Sequence, residues 1–191
     1  GGQVALDNRN GDFQIESWRG NRVEVVARIE VKAGSRREAQ ELLDKVDIKL
    51  KRSGDRLYIE PDAPKTHGGG FFDWIFGNRK SVTIAFYLKV PRQTDLDVTT
   101  VNGALEVEAV SGRNELSSVN GTIRARDMGG SLRGSTTNGN IRAALPEFSD
   151  GEVRLKTTNG AIQLGLPDEA AARVDISTVN GSITTDFPLT V

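Results

Sequence analysis

The sequence predicts a mainly β protein: a β-solenoid of stacked 18–21-residue coils over residues 94–191, continuous with a β-rich region over residues 1–93 that carries one short helix. Three observations lead there. Five Asn-Gly pairs, Asn102-Gly103, Asn120-Gly121, Asn138-Gly139, Asn159-Gly160 and Asn180-Gly181, recur at spacings of 18, 18, 21 and 21 residues. Positions at fixed offsets from each Asn repeat in chemical type. The chain also holds 21 Gly against 6 Pro without a collagen period, which means many turns between hydrophobic strands. A period near 20 with β-type filling marks coils that bury their apolar faces only against their neighbours.

The elements of the first region follow from period-2 alternation. Val4 to Leu6, Phe13 to Ser17 and Val23 to Val31 alternate apolar and polar residues, as half-buried strands do. Asn10-Gly11 between the first two reads as a tight hairpin turn. Ser35 with Glu38 three residues on forms a capping box. Ala39, Leu42, Leu43 and Val46 then make the apolar stripe of a helix over about 35–46 that packs on the sheet. Strands Asp47 to Arg52 and Arg56 to Glu60 follow, joined by Ser53-Gly54-Asp55. Residues 61–80 break the pattern with loop chemistry, Pro61 to Pro64 and Gly68-Gly69-Gly70, around the aromatic run Phe71, Phe72, Trp74, Ile75 and Phe76. Ser81 to Val90 returns as a strand, which Pro91 closes.

Within the repeat, Leu105, Ile123, Ile141, Ile162 and Ile183 stand three residues after each Asn. Val107, Ala125, Ala143, Leu164 and Thr185 stand five after. Val98, Leu116, Gly134, Leu155 and Ile176 stand four before, and Leu96, Asn114, Leu132, Val153 and Val174 six before. Two before, the residue always bears a hydroxyl: Thr100, Ser118, Thr136, Thr157, Thr178. Side chains alternate faces along a strand, so positions −6, −4, −2 and 0 share one face and +3 and +5 another. The parity changes at the Gly, whose freedom to take φ > 0 suits a sharp corner. Each coil is therefore two short strands joined at a corner, where stacked Asn amides pair up the ladder and satisfy polar groups at a buried turn. Asn114 and Gly134 thin the core where an aliphatic is expected.

The outward positions carry charge. Glu106, Arg124, Arg142, Gln163 and Thr184 stand four after Asn; Asp97, Glu115, Arg133, Arg154 and Asp175 stand five before. Stacking pairs Glu106 with Arg124 and Glu115 with Arg133. Arg124, Arg126, Arg133, Arg142 and Arg154 form a locally basic surface, which either is simply solvated or holds an anionic glycan or phosphate. The aromatic run likewise has two readings: a cover over the open end of a core, or an exposed anchor for a partner or membrane interface.

Much chemistry is excluded or unsupported. No cysteine means no disulfide, thiolate metal site or thiol nucleophile. His67 is the only histidine and sits in the Gly-rich loop, which supports neither a zinc site nor a Ser-His-Asp triad. No phosphate loop or calcium-binding nonapeptide is present, and the carboxylates scatter instead of clustering for glycoside chemistry. Asn120-Gly121-Thr122 and Asn180-Gly181-Ser182 match the glycosylation sequon, but the repeat accounts for them. The expectation is no enzyme, no catalytic residue, no cofactor and no metal. A net charge of −1 gives no pull toward nucleic acid or an acidic membrane, and no stretch reaches the roughly 18 apolar residues of a membrane helix. The chain opens Gly1-Gly2-Gln3 without Met and ends on the strand-like Thr184 to Val191, which reads as trimming that removed an export signal or anchor.

The Thr-Val-Asn-Gly, Thr-Thr-Asn-Gly and Ser-Val-Asn-Gly repeats, each followed by x-Ile/Leu-x-aliphatic, resemble the bacterial "putative adhesin" family of domains of unknown function. Asn10-Gly11-Asp12-Phe13-Gln14-Ile15 and Val90-Pro91 are similar to that family too, so the resemblance covers nearly the whole chain. It implies an extracytoplasmic place, periplasm or cell surface, behind a signal peptide or single membrane helix that brings the domain near a membrane. It offers no catalytic residue, and the insert at 61–80 departs from its usual short connection. The expected role is a non-enzymatic envelope or surface interaction module with a protein or glycan partner. The alternatives are a glycan-binding or carbohydrate-active domain using the basic face, and a structural domain whose open end stacks on another copy.

Overall fold

Two corners per coil, each carrying the chain from one sheet to the other, set the architecture. The computed structural model describes residues 2–63, 80–146, 148 and 150–186. The first strands are β1 (Gly2–Asn10), β2 (Phe13–Trp18) and β3 (Glu24–Lys32), followed by α1 (Arg36–Leu43). Next come β4 (Asp47–Ser53), β5 (Arg56–Asp62), β6 (Ser81–Pro91), β7 (Thr94–Asn102) and β8 (Leu105–Glu108). Then follow β9 (Asn114–Asn120), β10 (Ile123–Arg126), β11 (Leu132–Asn138) and β12 (Ile141–Ala144). The last are β13 (Asp150–Asn159), β14 (Ile162–Gly165), β15 (Ala171–Asn180) and β16 (Ile183–Thr185). Sheet 1 runs β15-β13-β11-β9-β7-β1-β5-β4 and sheet 2 runs β16-β14-β12-β10-β8-β2-β6-β3. From β7 onward the chain alternates between the sheets, and each strand pairs in parallel with its counterpart one coil away.

The predicted columns are the register. Leu105, Ile123, Ile141, Ile162 and Ile183 lie on successive strands of sheet 2, and Asn102, Asn120, Asn138, Asn159 and Asn180 on those of sheet 1. Burying Leu105, Ile123, Ile141 or Ile162 contributes about 1.5–3 kcal/mol each, because the facing sheet supplies apolar neighbours. Gly134 leaves no hole: a Cβ there would lie 3.1 Å from Leu155 Cδ2, so Leu155 already fills the space. Asn114 is fully buried and donates its amide to the Gly112 carbonyl at 2.8 Å.

The N-terminal region departs from the reading above in three places. Asn10-Gly11 is a coil corner, not a hairpin: β1 pairs with β5 and β7, while β2 pairs with β6 and β8 in the other sheet. The first coil thus stacks directly on the repeat, and parallel pairing on both sides displaces the local antiparallel pair. Pro61 and Asp62 belong to β5, not to a loop. That is tolerated because β1 pairs with β5 only as far as Ile59, so no second neighbour asks Pro61 for an N–H. The helix is shorter than expected and less buried. Ser35 Oγ accepts from the Glu38 amide at 3.2 Å as predicted, but no α1 residue is fully buried and Leu43 is exposed. Beneath the first coil, β5 and β6 form a further layer on which Phe13 stacks against Phe86, centroids 5.5 Å apart. There β3 and β4 pair antiparallel to β6 and β5 and end the two sheets.

Candidate functional site

The Asn-Gly corners explain themselves before any site is sought. Asn180, Asn159, Asn138, Asn120 and Asn102 each donate an amide N–H to the Oδ1 of the Asn one coil earlier, at 2.7–2.9 Å, and the series ends on Asn10. The ladder is solvent-exposed, not buried as the alternation suggested, because the chain turns at the Asn and swings its side chain to the edge of the stack. Four of the five hydroxyls in the next column have partners: Ser118, Thr136, Thr157 and Thr178 donate to the carbonyls of Gly103, Gly121, Gly139 and Gly160, while Thr100 Oγ1 is buried without one among the described residues. The glycines are required for a reason other than φ. Gly103, Gly121, Gly139 and Gly181 do not adopt a positive φ, but a Cβ on any of them would sit 1.8–2.1 Å from the glycine carbonyl oxygen of the previous coil. Close backbone approach fixes Gly here. Asn102, Gly103, Asn120, Gly121, Asn138, Gly139, Asn159, Gly160, Asn180 and Gly181 therefore form a hydrogen-bonded scaffold.

The five arginines do not form one surface. Arg124, Arg126 and Arg142 lie on β10 and β12 in sheet 2, whereas Arg133 and Arg154 lie on β11 and β13 in sheet 1. Each corner carries the chain to the other sheet, so positions −5 and +4 face opposite sides of the stack. On sheet 1, Arg133 and Arg154 both pair with Glu152 at 2.9 Å, and Arg154 also reaches Asp175 at 3.4 Å. The hydrogen bond from Arg133 holds the Glu152 carboxyl below its usual range. This is a closed, internally paired network.

Sheet 2 differs. Adjacent strands place Val26, Tyr87, Gln14, Glu106, Arg124, Arg142, Gln163 and Thr184 side by side in one outward row. A second row places Glu24, Lys89, Glu16, Glu108 and Arg126 beside it. Val26 is 62% and Tyr87 40% exposed, the only large apolar side chains on this row. They edge a depression of about 300 Å³ that also touches Gln14, Glu16, Glu106 and Arg126. Farther along, Arg124, Arg126, Arg142, Gln163 and Asp186 line a second depression of about 420 Å³, three guanidinium groups to one carboxylate. Most charges are matched: Arg124 with Glu106 at 2.8 Å, Arg126 with Glu108 at 3.2 Å, Lys89 with Glu16 at 3.5 Å. Among the described residues Arg142 has no such partner, since its strand neighbours are Arg124 and Gln163.

Of the residues singled out from sequence, Arg124 and Arg142 come together and Arg154 does not join them. Phe71, Phe72, Trp74, Ile75 and Phe76 lie outside the described residues. Sequence reasoning missed Tyr87 and Val26, which come from non-repeat strands. The signal was present in Ser81 to Val90, where the alternation puts an aromatic on the outward side. Among the described residues, no group of three His, Asp or Glu is placed to hold a metal ion, and no helix is long and apolar enough to cross a membrane.

Comparison with known proteins bears on the fold and family. The family described as Toastrack DUF4097 matches residues 2–190. A crystal structure of a protein described as a putative cell adhesion protein from Clostridium sporogenes ATCC 15579 is similar, with a TM-score of 0.52 and 10% identity over 97% of this chain and 92% of that one. No functionally curated sequence matches.

Proposed function

The chain belongs to the Toastrack DUF4097 family, and on that premise we propose that it is a non-enzymatic β-solenoid acting outside the cytoplasm as an envelope or surface interaction module. Its contact surface is the outward face of sheet 2. One observation carries this reading: the Asn ladder and the sheet 1 ion pairs are satisfied within the stack, while sheet 2 presents two adjoining depressions with an exposed Tyr87 and, among the described residues, an Arg142 without an ion-pair partner. Rigid parallel strands hold those side chains at fixed spacing, which suits recognition without ordering a loop. The similarity to the adhesion-described structure supports the fold and agrees with such a role.

The test is retention of the labelled chain on intact bacterial cells, measured by flow cytometry against a charge-matched control protein. Tyr87→Ala combined with Arg124→Ala on sheet 2 should abolish retention, and Lys156→Ala with Arg173→Ala on sheet 1 should not. Equal retention by both variants, or none by the unmodified chain, would sink the assignment.

A further inference from the structure

The chemistry of the sheet 2 face narrows what it takes. This step rests on that face being the contact surface. The centre of a protein interface is depleted in charged residues and enriched in apolar ones. Here the reverse holds: Tyr87 and Val26 are the apolar pair, and around them stand Glu16, Glu106, Glu108, Lys89 and Arg126. Carboxylates beside Tyr87 repel a phosphate backbone, which argues against nucleic acid. Planar, paired carboxylate and guanidinium groups offer acceptors and donors close together, the complement of a surface dense in hydroxyls. An exposed aromatic ring next to them offers an apolar plate for the C–H face of a pyranose.

Arg142 adds direction. It sits four strand steps from Tyr87 in the order β6-β2-β8-β10-β12, about 19 Å at roughly 4.8 Å per strand. The intervening row is Gln14, Glu106 and Arg124, with Glu106 and Arg124 already paired at 2.8 Å. A ligand spanning both ends must be extended, polar along its length and anionic near Arg142. We propose that the outward face of sheet 2 binds an extended acidic glycan across its strands, one sugar ring lying on Tyr87 and a uronic-acid carboxylate farther along the chain pairing with Arg142.

The probes are a xylo-oligosaccharide bearing a single glucuronic acid and the same oligomer with that carboxylate methyl-esterified, titrated calorimetrically into the whole chain at low and at physiological salt. The acidic oligomer should bind more tightly, with the advantage shrinking as salt rises. Tyr87→Ala should weaken both oligomers about tenfold, as loss of one stacked ring does. Arg142→Gln should remove the preference for the acid while leaving the esterified oligomer unchanged, an outcome that mere unfolding would not produce. Equal affinity for the two oligomers, or no acidic oligosaccharide bound on a glycan array at low salt, overturns the proposal. If intact cells still retain the chain in that case, the surface reading stands and only the ligand class is wrong.

Discussion

The two ends of the stack are built on different rules. At one end β3 and β4 run antiparallel to their neighbours, with α1 alongside, and their outward and edge positions carry Arg28, Glu30, Lys32, Lys49, Lys51 and Arg52. At the other, β15 and the three-residue β16 pair in parallel like every coil before them, and Val174, Ile176 and Ile183 are left only partly covered. A repeat cannot terminate itself, since each coil presents to the next the same edge it used on the last. Reversing strand direction and adding charge is what closes the first end against further pairing. The middle coils need neither device, and Leu105, Ile123 and Ile141 are fully buried there.

Breaking that packing should give the largest effects. Gly121→Ala places a Cβ against the Gly103 carbonyl and should cost about 4 kcal/mol or more, read as a collapse of the urea midpoint. Gly54→Ala, in the β4–β5 turn at φ +59 with open space around it, should cost only about 1 kcal/mol. Ile141→Ala, fully buried in mid-stack, should lose about 2–5 kcal/mol by the same assay, whereas Ile183→Ala, half-exposed in the same column, should lose under about 1 kcal/mol. Equal losses would mean that Ile183 is covered in solution. Asn138→Ala removes two exposed ladder bonds and should cost about 1–2 kcal/mol, against roughly half that for Asn180→Ala, which removes one. The smallest effect is on pH. Hydrogen bonds from Lys49 and Arg133 lower the carboxyls of Asp62 and Glu152. Their stabilisation is therefore complete above the ordinary carboxylate range and lost as pH falls through the lowered values. Asp62→Asn at the cap and Glu152→Gln in the coils should each flatten the fall of the midpoint below about pH 4.

The repeat was legible because stacking forces identical side chains into register, and register shows in sequence as columns at fixed offsets. The first coil obeys the same template: Val4, Leu6, Asn8, Asn10, Gly11, Phe13 and Ile15 occupy the offsets held by the later coils. It escaped because 92 residues separate Asn10 from Asn102. Local turn chemistry then favoured a hairpin over a partner so distant. The exposure of the Asn ladder was also hidden, since alternation assigns faces only while the strand stays straight. Grouping Arg124, Arg142 and Arg154 failed for a related reason: shared charge and period do not imply a shared sheet once each corner changes sheets. Tyr87 belongs to no column of the repeat, so only the two-residue alternation of its own strand pointed to it.

The register across the longer coils shows where the chain can change length. Leu132 pairs with Val153 and Asn138 with Asn159, and the turns before β11, β13 and β15 each span five residues, so the extra three residues of each 21-residue spacing lengthen the starts of β13 and β15, where residues 150–152 pair with 171–173. The ladder edge is thus invariant, and a coil changes length at the far ends of its sheet 1 strands. An insertion or deletion in this gene is silent to the fold when it comprises one whole coil, such as residues 121–138, which rejoins Asn120 to Gly139 and shortens the stack by about 4.8 Å. Removing one residue fewer slips a strand by one position and turns its side chains to the wrong face. Such a molecule can grow or shrink by recombination between its own repeats, one coil at a time.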